Sequence, residues 1–75
     1  MGKPISHIHI LKDFGKQLQL VRKSKNISQE ELAHKLSMHR TYVGMIERGE
    51  RNPTIRTLYK IVQVLKIKSS EILPF

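Results

Sequence analysis

Arginine is well suited to gripping a flat pair of acceptors, because its guanidinium presents parallel N–H donors and stays charged in proteins. In the stretch HRTYVGMIERGERNPT, from His39 to Thr54, one arginine stands at the start of a run with helical spacing. Val43, Ile46 and Glu47 turn inward on that spacing, while Arg40, Thr41, Gly44, Met45 and Arg48 turn to the other side. An arginine so placed can donate to O6 and N7 of guanine, and the methyl group of a neighbouring threonine can meet a thymine methyl. Gly44 costs a helix roughly 1 kcal/mol relative to alanine, which suits a position that something approaches closely, whether DNA or another helix. Other chemistries find less support. His7 and His9 lie two apart and His34 and His39 five apart, and no Asp/Glu cluster joins either pair, so no metal site is expected. No nucleophile–base–orienter set, Gly-rich phosphate loop or pair of catalytic carboxylates is visible. The expectation is a protein that is not an enzyme, takes no cofactor and binds no small-molecule ligand.

The charge balance points the same way. Fourteen Lys and Arg stand against six Asp and Glu, a formal net charge of +8 on 75 residues. That excess fits a polyanionic partner, nucleic acid before membrane. A chain of this length makes one domain with a small core, which a disulfide, a metal or a partner chain usually supports. The absence of Cys removes disulfides and thiolate zinc. A second copy of the chain is then the natural stabiliser. No apolar run approaches the roughly 18 residues of a membrane span. The N-terminus carries no continuous apolar stretch of the signal-peptide kind. The expected location is a prokaryotic cytoplasm, at the nucleoid or on mobile elements.

Short helices with polar joints account for the rest of the chain. Residues 1–10 read as an arm whose order the pattern does not settle, and residues 11–75 as the folded domain. Leu11, Phe14, Leu18 and Val21 recur at steps of three and four, predicting a helix over about Leu11 to Lys23. Ser28 and Glu31 form a capping box, and Ile27 and Leu32 a hydrophobic staple, so a second helix starts there with Leu32, Ala33 and Leu36 inward. It must break near Ser37, because a third helix, about Arg40 to Arg48, follows at once. His39 is its cap, Met38 and Val43 its staple, and Gly49 its left-handed stop. A turn over Glu50–Pro53 leads to a fourth helix, from Thr54 or Ile55 to Leu65, with Ile55, Leu58, Ile61, Val62 and Leu65 as its stripe. A short fifth helix, about Ser70 to Leu73, ends at Pro74. The predicted class is all-α, a five-helix bundle.

Two short helices joined by a turn of three or four residues make a helix-turn-helix, whose second helix can enter the DNA major groove. NISQEELAHKL followed by SMHRTYVGMIERGERNPT resembles the phage repressor/Cro type of helix-turn-helix proteins, over about Phe14 to Leu73. Within that type, FGKQLQLVRKSKNISQEELA and HRTYVGMIERGERN are most similar to the controller proteins of restriction–modification systems. The resemblance implies a lambda-repressor-like DNA-binding domain working as a homodimer on double-stranded DNA with inverted half-sites. It implies binding upstream of its own gene and of the endonuclease gene, with activation when scarce and repression when abundant. Activation would make RNA polymerase a further partner.

Residue by residue, the resemblance implies that Gln29 donates to a phosphate and that Arg40 and Thr41 read bases. Gly44 and Met45 share their base-facing side, with an apolar contact or none at Met45. Tyr42 reaches the backbone or groove edge, Arg51 a phosphate or the minor groove, and Asn52 the backbone. Arg22 and Glu47 match a buried ion pair locking the first helix to the third. The expected dimer surface comprises Val64, Ile67, Ile72, Leu73 and Phe75. Two positions depart from the pattern: Ser37 stands where the family usually has a left-handed Gly, and His39 replaces a Ser or Thr cap. Two other functions fit the same residues: an antitoxin that binds DNA and sequesters a toxin protein, and a helix-turn-helix module used only for protein contacts.

Overall fold

The computed structural model describes residues 9–75. It contains four α-helices, α1 (Ile10–Ser24), α2 (Gln29–Leu36), α3 (Arg40–Glu47) and α4 (Ile55–Leu65), and one 3-10 turn, Ser69–Glu71. No strand occurs among the described residues. The expected fifth helix, Ser70–Leu73, is therefore corrected to a single turn. Lys66 is left-handed (φ 55°) just before it and Pro74 follows just after it, so little chain is left to wind. The turn is tied down by the Lys68 amide donating to Glu71 Oε2 at 2.9 Å and the Leu73 amide donating to the Ser69 carbonyl at 2.9 Å. Of the expected N-terminal arm, residues 1–8 lie outside the described residues, and Ile10 already belongs to α1.

Local chemistry explains the starts and stops. At α2 the amide of Glu31 donates to Ser28 Oγ and the amide of Ser28 donates to Glu31 Oε1, both at 3.0 Å. The two bonds satisfy a pair of otherwise orphaned donors. The bond from the Ser28 amide, then the Ser28 side chain, holds the Glu31 carboxyl below its usual value. Thr54 caps α4 by accepting from the Thr57 amide at 3.1 Å. Helix α3 ends at Glu47, one residue short of expectation, and Gly49 (φ 76°) turns the chain away from it. A side chain at Gly49 would also meet Lys12 of α1.

The core draws on every element. Phe14 and Leu18 of α1, Leu32, Ala33 and Leu36 of α2, Val43 and Ile46 of α3 and Ile61 and Leu65 of α4 are buried together. Ile72, carried by the last turn, is fully buried among them. Ile55 is a correction: expected on the inward stripe of α4, it is 84% exposed. Where α1 crosses α3 the backbones nearly touch. A Cβ at Gly15 would collide with the carbonyl oxygens of Ile46 and Glu47, so only glycine permits this crossing.

Candidate nucleic-acid interface

Helices α2 and α3 are joined by Ser37, Met38 and His39. Ser37 is left-handed (φ 57°, ψ 44°), the conformation the departure from glycine put in question. The turn keeps its shape with serine because the Met38 amide donates to the Ala33 carbonyl at 2.9 Å and the Met38 side chain packs on the core. His39 has the extended backbone of an N-cap (φ −73°, ψ 142°) but makes no side-chain capping bond. The first turn of α3 is therefore fixed by its backbone and by Val43, not by its cap.

That geometry leaves Arg40 and Thr41 exposed at the start of α3. Tyr42 is half-buried against the core, Met45 is half-buried, and Arg51 and Asn52 are exposed in the turn beyond the helix. The underside of α3 is held by charge. Arg22 Nε donates to Glu47 Oε2 at 2.6 Å and Nη2 donates to Oε1 at 3.1 Å, with both side chains almost out of solvent. Arg22 Nη1 also donates to the Ile27 carbonyl at 2.7 Å. One residue of α1 thus grips α3 and the joint leading into α2. Among the described residues no fully buried side-chain nitrogen or oxygen lacks a hydrogen-bond partner.

Two expected contact residues are used differently from the expectation. Gln29 Nε2 donates to Glu47 Oε1 at 2.9 Å, so the network extends to α2 and one of its two amide hydrogens is already committed. Gly44 is buried, not open to a base. A Cβ there would lie 3.1 Å from Arg48 Nη1 and 3.6 Å from Gln29 Oε1, so the close approach is made by these two side chains. Of the expected dimer surface, Ile72 is buried in the core, Val64, Ile67 and Leu73 are half-buried against it, and Phe75 is exposed.

Three features escaped sequence reasoning. Arg48 and Glu50 form an exposed ion pair with Nε and Oε2 2.9 Å apart. The Gln29–Glu47 bond joins residues 18 apart with no periodicity to link them. Finally, Ile55, Tyr59 and Val62 line a groove of about 420 Å³ with Leu58, Gln63, Ser69, Ile72 and Leu73. The spacing of Ile55, Tyr59 and Val62 is itself helical, a second stripe beside Leu58, Ile61 and Leu65. That doubling is the signal that was available.

The family profile described as helix-turn-helix matches residues 18–72, which spans the turn and both helices around it. The chain belongs to this family. Similar members include Control protein C.BamHI of Bacillus amyloliquefaciens, 41% identical over 63 residues that make 83% of this chain and 78% of that one. Control protein C.MunI of a Mycoplasma species is 42% identical over 60 residues, 79% of this chain and 81% of its own. Among solved structures of helix-turn-helix proteins, the restriction–modification controller C.AhdI of Aeromonas hydrophila superposes with a TM-score of 0.80 at 38% identity. The match covers 84% of this chain and 96% of that one.

Proposed function

We propose that this helix-turn-helix protein is the controller of a restriction–modification system, regulating transcription from its own promoter. The observation that carries the reading is the exposed Arg40–Thr41 pair at the head of an α3 locked in place by Arg22 and Glu47. Likeness to C.BamHI, C.MunI and C.AhdI supports the same reading. Arg40 reads a guanine edge and Thr41 packs beside it. Arg51 and Asn52 meet the phosphate backbone, Tyr42 the groove edge, and the second amide hydrogen of Gln29 a phosphate. The net charge of +8 draws the chain to DNA without choosing a site.

The working form is a homodimer. The apolar stripe of Ile55, Tyr59 and Val62, with Leu73 beside it, suits a two-fold contact in which one patch meets its own copy. Such a dimer places two α3 helices on inverted half-sites roughly 34 Å apart. It works in a prokaryotic cytoplasm, and where it activates, RNA polymerase is the partner it recruits. The test is binding to the DNA immediately upstream of its own gene, at fixed salt, against random competitor. Tight binding that resists competitor, and falls steeply as salt is raised, is expected. Binding that competitor abolishes would reduce the charge to a general field and overturn the reading.

A further inference from the structure

Among the described residues there are two ion pairs, and one of them is at the DNA-facing side of α3. Arg48, just past the end of α3, is clasped by Glu50: Nε donates to Oε2 at 2.9 Å and Nη2 donates to Oε1 at 3.3 Å. Its remaining nitrogen, Nη1, lies over Gly44, where a Cβ would sit only 3.1 Å away. The carboxylate is brought round by the left-handed Gly49 and fixed by the Glu50 amide donating to the Met45 carbonyl at 2.8 Å. Arg40 and Arg51, the other arginines of this surface, form no ion pair among the described residues. Helical spacing puts Arg48 on the side of Thr41 and Gly44.

We propose that Arg48 is a further phosphate-binding residue of the interface and that Glu50 is its built-in stand-in for phosphate, held until DNA displaces it. The proposal rests on the DNA-binding reading above. Carboxylate and phosphate both accept two parallel bonds from a guanidinium, so one replaces the other without moving the arginine. The two side chains are 57% and 53% exposed, and a pair so open to water is weak enough to exchange. The hydrogen bond from Arg48 holds the Glu50 carboxyl below its usual value. The clasp lowers affinity for every DNA alike, so it raises the protein concentration at which a site fills without choosing among sites. Gly44 is the seat that keeps the guanidinium at the surface of α3.

The test is a double-mutant cycle with wild type, Glu50→Gln, Arg48→Gln and the double variant. Each is titrated into a duplex selected by wild type from random sequence and into a scrambled duplex of equal composition. Both residues are exposed, so the fold is retained. Glu50→Gln is expected to tighten binding to both duplexes roughly threefold per protomer engaged, the scale of a weak surface pair. Arg48→Gln is expected to weaken binding to both duplexes and to lower the salt slope by about 1. In the Arg48→Gln background the Glu50→Gln gain is expected to vanish. A gain that persists without Arg48 would mean that Glu50 acts only by repelling DNA, and would overturn the clasp while leaving DNA binding intact. No gain at all would overturn it too. Failure of wild type to bind either duplex in a salt-sensitive way would instead overturn the DNA-binding reading and the clasp with it.

Discussion

At the residue scale the interface is held by a single buried charge network. Glu47 accepts from Arg22 of α1 and from Gln29 of α2 while standing on α3, so three helices meet at one carboxylate. Replacing Glu47 by alanine leaves the Arg22 guanidinium buried with only the Ile27 carbonyl as a partner. Stranding such a charge costs about 3–5 kcal/mol, a large share of what a domain of this size has to spare. The expected result is a large drop in the urea midpoint of Glu47→Ala; a loss below about 1 kcal/mol would mean that Arg22 escapes to water. None of this network is readable from spacing. Arg22 and Glu47 are 25 residues apart, and only the resemblance to a family pairs them from sequence. Gln29 looked like a free donor because nothing in α2 announces a carboxylate reaching across from α3.

At the scale of elements, local signals were legible and long-range ones were not. The capping box of α2 involves two residues three apart, so the sequence contains the whole interaction. Ser37 is equally local. It holds a left-handed backbone that penalises a side chain by about 1–2 kcal/mol. Ser37→Gly removes that penalty but frees the unfolded chain, so the expected net gain is about 0.5–1 kcal/mol. Thermal unfolding checks it, and a lower midpoint for the variant would contradict the account of the turn. Helix α4 shows where periodicity stops. Its apolar residues make two stripes, and spacing alone does not say which one meets the core. Ile61 and Leu65 do, whereas Ile55 and Tyr59 face out, because the last turn brings Ile72 in to close that side of the core. Five helices became four for the related reason that a segment between a left-handed residue and a proline can fold as one turn.

At the scale of the whole molecule, exposed arginines gather at α3 and its following turn, and large exposed apolar side chains stand on α4. The α3 side carries Arg40, Thr41, Arg48 and Arg51, and α4 carries Ile55 and Tyr59, exposed at 84% and 64%. The proposed homodimer buries Ile55 and Tyr59 against a second copy of the chain. The double variant Ile55→Asp, Tyr59→Asp is expected to keep its helical content, to sediment as a monomer and to bind DNA at least tenfold more weakly, since two linked half-sites bind far better than one. A variant that remains a dimer would move the interface elsewhere, Phe75 and Val64 being the residues to test next. The central claim is that α3 reads sequence through its first turn, and base preference tests it most directly. Sites selected from random DNA by the wild type and by Arg40→Ala should differ. The wild type is expected to recover paired inverted half-sites with a guanine in each, and Arg40→Ala to lose that guanine at about 1–3 kcal/mol of discrimination. Identical selected sites, bound with identical affinity, would show that Arg40 does not read the DNA.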